Sequence, residues 1–206
     1  REALEKARGN VLQLGEDVEN TLRQAIGALE RGDVNLAATV LTTESDIHDR
    51  RRLVEQECME LIWRQQPVAG DLRSITVMRE ITTDLDRIGE YATSIAKNSL
   101  KLLDISARPA AAEIGPMAEI VLTMLNDAMR AFSNNDGSLA DSVIERDKGV
   151  NALRHDGIQR LQNLMQANSA IVRAGTISLF VLQTLERAGD RARHIARYTK
   201  ELLGTT

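Results

Sequence analysis

Two acidic pairs dominate the chemistry this chain can offer: Asp86 with Glu90 in Asp86-Arg87-Ile88-Gly89-Glu90, and Glu186 with Asp190 in Glu186-Arg187-Ala188-Gly189-Asp190. At about 100° per residue, helical positions i and i+4 lie one above the other, so each pair projects from one face. Like charges at that spacing weaken a helix by a few tenths of a kcal/mol, and an interior Gly by about 1 kcal/mol relative to Ala. The same unfavourable choices are made twice, which points to a role. A bare Gly beside paired carboxylates also leaves room for a ligand or a second helix.

Hard cations take oxygen ligands, and carboxylates on neighbouring helices supply them jointly. Partner pairs at the same spacing stand upstream of each signature, Glu44 with His48 and Asp147 with Asn151. The candidate metal set is therefore Glu44, His48, Asp86 and Glu90 in the first half, and Asp147, Asn151, Glu186 and Asp190 in the second. The imidazole of His48 shifts the preference toward zinc or iron. The competing reading is a solvated acidic face. The Asp86/Glu90 face lies roughly opposite the apolar stripe Ile81, Leu85 and Ile88, which predicts that the pair is exposed on the outside of a bundle. His155 and His194 read as surface histidines, His194 lying close enough to Asp190 to serve as a peripheral ligand.

No catalytic constellation accompanies these acids. The chain has no Gly-rich phosphate loop, no HExxH, no Gly-x-Ser-x-Gly and no Glu-x-x-His repeat of the di-iron type, which predicts a protein that is not an enzyme. A net charge of −4 with 2% aromatic residues argues against a nucleic-acid binder. The one basic run, Arg50-Arg51-Arg52, is followed by Glu55 and Glu57 and reads as a solvated helix face with i,i+4 partners. A single Cys58 points to a reducing compartment, no segment reads as a signal peptide, and none approaches the ~20 apolar residues of a membrane span.

The elements that must position the acids are helices. Ala, Leu, Glu and Arg dominate, while Pro occurs three times and the bulky residues that fill strands are scarce. The spacing predicts six long helices, over about 3–31, 34–65, 71–104, 117–132, 139–168 and 170–203. Ala28, Asp33, Leu36, Ala37 and Val40 recur as Ala131, Asp136, Leu139, Ala140 and Val143 at an offset of 103, and the acidic signatures recur at 100. The chain is thus an internal duplication: an all-α pair of tandem three-helix bundles, 1–105 and 117–206, joined by a linker at 106–116. In the third helix Ile81, Leu85, Ile88, Ala92 and Ile95 form one core stripe, and in the fifth Val143, Val150, Leu153, Leu161 and Leu164 form another. Met78, Met124, Met129 and Met165 read as core filler.

Gln65-Gln66-Pro67-Val68-Ala69-Gly70-Asp71-Leu72-Arg73, followed by Asp84-Leu85-Asp86-Arg87-Ile88-Gly89-Glu90 and later by Leu185-Glu186-Arg187-Ala188-Gly189-Asp190, closely resembles the PhoU family over essentially the whole chain. That resemblance implies a cytoplasmic accessory regulator of the high-affinity phosphate ABC transporter. It further implies an adaptor that links the transporter's ATPase subunit to the phosphate-sensing histidine kinase and keeps the starvation response off, with multinuclear iron or zinc sites on the acidic motifs of some members. Glu186 and Asp190 keep the family's acid order, whereas Asp86 and Glu90 exchange the two acids. His48 stands where an acid is usual, Asn151 is not ionisable, and Ser94 replaces an Asn common after the first motif. A homodimer is expected, and phosphate sensing is expected to be indirect. A metal-dependent enzyme or a metal-storage bundle is the alternative from another class.

Overall fold

The computed structural model describes residues 2–106 and 112–204. Six α-helices make up nearly all of it: α1 (Glu2–Arg31), α2 (Val34–Gln65), α3 (Ala69–Leu103), α4 (Ile114–Asn134), α5 (Gly137–Ala167) and α6 (Val172–Leu203), with a 3-10 turn at Ser169–Ile171 ahead of α6. No strand occurs among the described residues, as the composition predicts. Part of the expected linker, 107–111, lies outside them. The linker's far end is helical, because α4 begins at Ile114 and takes Gly115 and Pro116 into its first turn. Proline is tolerated there, since a first-turn N–H has no helical acceptor to lose.

The duplication is visible in how the second helix of each half starts. The Asp33 carboxylate accepts from the backbone N–H groups of Asn35 (2.9 Å) and Leu36 (3.1 Å), and its own N–H donates to the Ala28 carbonyl. In the second half Asp136 accepts from Leu139 N–H (2.9 Å) and donates to the Ala131 carbonyl. Each Asp thereby satisfies donors that the helix start leaves without partners. The residue before each cap is left-handed, Gly32 at φ 65° and Asn135 at φ 54°, a conformation that Gly and Asn adopt most readily.

One continuous apolar core runs through both halves, from Val11, Leu14 and Leu22 of α1 to Leu185, Ile195 and Ala196 of α6. The expected stripe of α3 is fully buried along its length. In α5, Val143, Val150 and Leu161 are buried, while Leu153 is half-buried and Leu164 exposed. Met78, Met124 and Met129 are buried, and Met165 packs on the rim of the core. The halves join through α3 against α6 and α1 against α4, whereas among the described residues α2 touches only α1 and α3, and α5 only α4, α6 and the 3-10 turn ahead of α6. The two signature helices are therefore the central pair, and each is covered on three sides.

Candidate functional site

The Asp86/Glu90 pair lies in the cleft between α2 and α3. Gly89 permits the close approach of the two helices: a Cβ there would lie 3.2 Å from Ile47 Cγ2. An open groove of about 670 Å³ follows this seam, and Glu44, His48, Asp86 and Glu90 all line it. The four residues singled out in the first half thus converge on one place.

The expectation that both acids are exposed is corrected for Asp86, which is 8% exposed. The physical reason is the central position of α3. The face opposite its apolar stripe is not free, because α2 covers it. Asp86 is held by two cationic or polar groups of α2, with Arg51 Nη1 at 3.4 Å from Oδ2 and His48 Nδ1 at 3.5 Å from Oδ1. Arg51 also pairs with Glu55 on its own helix at 2.9 Å. The basic run is therefore only in part a solvated face: Arg50 reaches across to Asp17 of α1 (2.8 Å) and Arg51 to α3. Glu90 remains at the exposed rim, paired with Arg87 one turn away, and Glu44 makes no ion pair among the described residues.

The second half arranges equivalent residues differently. Asp147 is buried and accepts from Asn151 Nδ2 at 3.0 Å. Its Oδ2 also faces Arg193 Nη1 of α6 at 3.4 Å, while Nη2 of the same guanidinium pairs with Asp190 Oδ1. Asp190 and Glu186 are half-buried, and Asn151 is exposed. Among the described residues, no three His, Cys, Asp or Glu side chains are already gathered around a point that would hold one ion. In the first cleft the donors still suit a hard or borderline cation, because Glu44, His48 and Glu90 are incompletely buried and line the same open groove as Asp86. In the second cleft a guanidinium stands between the two carboxylates.

A polar cluster that the acidic spacing did not single out lies deeper, between α3 and α6. Asp84 is 3% exposed, and its Oδ1 accepts from Arg191 Nη1 at 3.1 Å. Its Oδ2 is buried without a hydrogen bond and faces His194 Nδ1 at 3.7 Å. Burial pushes the Asp84 carboxyl above its ordinary range, against the hydrogen bond and charge of Arg191 and the charge of His194, which pull it down. Burial likewise raises the Tyr198 phenol, with the Asp84 charge adding to it. His194 is thus no plain surface histidine, since it sits between Asp84 and Asp190 (3.9 Å) with its ring edge toward Tyr198. His155 is exposed, as expected. The sequence signal for Asp84 was its register: it stands three residues after Ile81 and four before Ile88, on the apolar stripe itself.

A duplicated all-helical bundle with acidic signatures on its central helices defines a class, and comparison with known proteins places the chain within it. The PhoU domain model matches residues 11–99 and again 114–199. A phosphate-specific transport system accessory protein PhoU homolog from Pseudomonas putida is 32% identical over 194 residues, covering 94% of this chain and 76% of that protein. The PhoU accessory protein of Escherichia coli K12 is 27% identical, covering 95% of this chain and 81% of its own length. The crystal structure of PhoU from Pseudomonas aeruginosa superposes with a TM-score of 0.97 at 31% identity, over 99% of this chain and 98% of that one. A phosphate transport system regulatory protein PhoU from Streptococcus pneumoniae superposes with a TM-score of 0.92 at 25% identity, over 98% and 96%. The chain belongs to the PhoU domain family.

Proposed function

We propose that this protein is a cytoplasmic accessory regulator of phosphate uptake. It acts as an adaptor between the ATPase subunit of a phosphate ABC transporter and the phosphate-sensing histidine kinase, restrains the starvation response when phosphate is plentiful, and is not an enzyme. The observation that carries this reading is the match of the family model to both halves, in a chain that superposes along its whole length on a PhoU crystal structure. No described helix is long and apolar enough to cross a membrane. Work by contact also suits the surface: Trp63 (74% exposed), Val68 (74%) and Leu72 present apolar area around the α2–α3 turn, where an adaptor or a homodimer has something to grip.

Iron or zinc belongs to this reading at the first cleft. Glu44, His48, Asp86 and Glu90 would hold the ion, which would supply positive charge across the α2–α3 seam and tie the two helices together. Binding to the folded state alone stabilises it by mass action, so chelation lowers the melting temperature.

The test is a binding assay of the purified protein against the transporter ATPase and the kinase cytoplasmic domain, with an Asp86→Ala/Glu186→Ala variant beside wild type. Specific binding to both supports the adaptor, and loss in the variant makes the acidic clefts part of the contact. Absence of binding under metal-replete conditions rejects the adaptor and favours a metal-dependent enzyme or storage bundle.

A further inference from the structure

The two acidic clefts look equivalent in sequence, yet their counter-ions come from different places. By the repeat offsets, Asp147 corresponds to Glu44 and Asp190 to Glu90, so each half sets one such acid on either side of its cleft. In the second half a single guanidinium spans the gap. Arg193 Nη1 faces Asp147 on α5 while Nη2 pairs with Asp190 on α6. The side chain is largely enclosed, at 26% exposed, and Asp147 is more so, at 9%. In the first half the position of Arg193 is taken by Thr93, which is 2% exposed and whose hydroxyl is buried without a hydrogen bond. Thr93 is too short to reach across and carries no charge. Arg51 pairs with Asp86, a different acid of the cleft, and among the described residues no guanidinium joins Glu44 to Glu90.

We infer that Arg193 is the resident cation of the second cleft, standing where a bridging divalent ion would otherwise join α5 to α6, so that this chain has one exchangeable cation position and not two. The inference rests on reading the acidic clefts as cation sites. Two carboxylates from facing helices repel each other unless positive charge lies between them, and a guanidinium supplies that charge with two parallel donor arms. A divalent ion in the same place would have to displace an arginine that is already enclosed and paired with both acids. In the arrangement present, the Asn151 amide also donates to Asp147 Oδ2, adding a second donor to the carboxylate that Arg193 faces.

The experiment removes the first cleft from play with Asp86→Asn/Glu90→Gln, then compares Arg193 with Arg193→Gln in that background. Melting temperatures of the full chain are measured in chelator and in excess Zn²⁺, with Mn²⁺ as a second probe. The background protein is expected to melt at the same temperature with and without metal. Arg193→Gln is expected to melt lower in chelator by about 3–6 °C and to recover in metal, with the recovery lost when Asp147→Asn is added. If Arg193→Gln fails to fold, Arg193→Lys, which keeps the charge but loses the two-armed reach, is expected to show the same metal recovery on a smaller scale. Metal stabilisation of the background that Asp147→Asn or Asp190→Asn abolishes would overturn the inference, as would an Arg193 variant that metal does not rescue. Failure of the first cleft to bind is read separately, from wild type against Asp86→Asn/Glu90→Gln, and leaves the Arg193 result standing on its own.

Discussion

Arg191 on α6 donates to Asp84 on α3 at 3.1 Å, and the pair lies in the seam where the two halves meet. The contact breaks the repeat's symmetry. The counterpart of Asp84 is Thr184, whose hydroxyl donates to the Phe180 carbonyl of its own helix, so one side of the seam carries an ion pair and the other does not. Removing Arg191 would strand a buried carboxylate, whereas replacing Asp84 with Asn would remove the charge with little change of shape. Arg191→Ala is therefore expected to destabilise by about 3 kcal/mol, and Asp84→Asn by less than about 1 kcal/mol. Denaturant unfolding of the two variants decides it; equal losses would mean that the pair, and not the isolated charge, governs the seam.

The same carboxyl carries a pH dependence of definite sign. Its folded pKa is raised above 3.8, chiefly by burial, so the folded state holds the proton more tightly than the unfolded chain. Stability from this group is greatest below the unfolded value and falls as pH rises through the window between the two. Unfolding free energy of wild type minus that of Asp84→Asn is expected to decline across that window. A difference that rises with pH instead would show that Arg191 and His194 outweigh burial.

The signature glycines make a second contrast. A Cβ at Gly89 would press to 3.2 Å on Ile47, while one at Gly189 would meet Val121 and Val150 at 3.4 and 3.5 Å, ordinary contact distances. Gly189→Ala should raise stability by up to about 1 kcal/mol through helix propensity alone. Gly89→Ala should gain less or lose, because Ile47 must give way. Thermal unfolding of the two variants ranks them, and the reverse order would contradict the packing described for the first cleft.

Cys58 is fully buried, and burial pushes its thiol up to about 11, against the pull of Arg79. The reactive species is the thiolate, so the folded protein should resist a thiol reagent at pH 8 and become reactive on unfolding. Labelling rates across a denaturant series should report the opening of α2 that uncovers the thiol. Rapid labelling of the native protein would mean that α2 lifts away from the core far more often than the fold implies.

Asp33 and Asp136 give a test of the duplication itself. Each caps the second helix of its half through backbone N–H groups at about the same distance. Replacing either by Ala is expected to lose about 1 kcal/mol, and the double variant to lose the sum within about 0.5 kcal/mol. Strong non-additivity in equilibrium unfolding would show that the two caps communicate through the core.

Local chemistry made much of this fold readable. The six helix spans and the α3 stripe depend on neighbours a few residues away, and they stand close to where the spacing placed them. Burial of Asp86 was not readable in the same way. Periodicity distinguishes the faces of one helix but does not say how many other helices surround it, and α3 is enclosed on three sides. For the same reason His194 looked like a surface residue: its partner Asp84 is more than a hundred positions away in the chain. Arg193 left no signal in the acidic spacing, because its meaning lies in reaching a different helix.

The peripheral placement of α2 and α5 bears on motion. Helices α1, α3, α4 and α6 form the inner frame through which the halves touch, and α2 and α5 lie against it like straps. Elements with fewer packed neighbours are the first candidates for local opening, and α2 and α5 each lack the contact across the halves that the inner helices make. Arg193 ties Asp147 of α5 to Asp190 of α6, while α2 is held at Asp86 by Arg51 and His48, with no guanidinium among the described residues joining Glu44 to Glu90. The duplicated protein thus has one strap whose facing acids are tied by its own chain and one that keeps a pair open to what its surroundings supply.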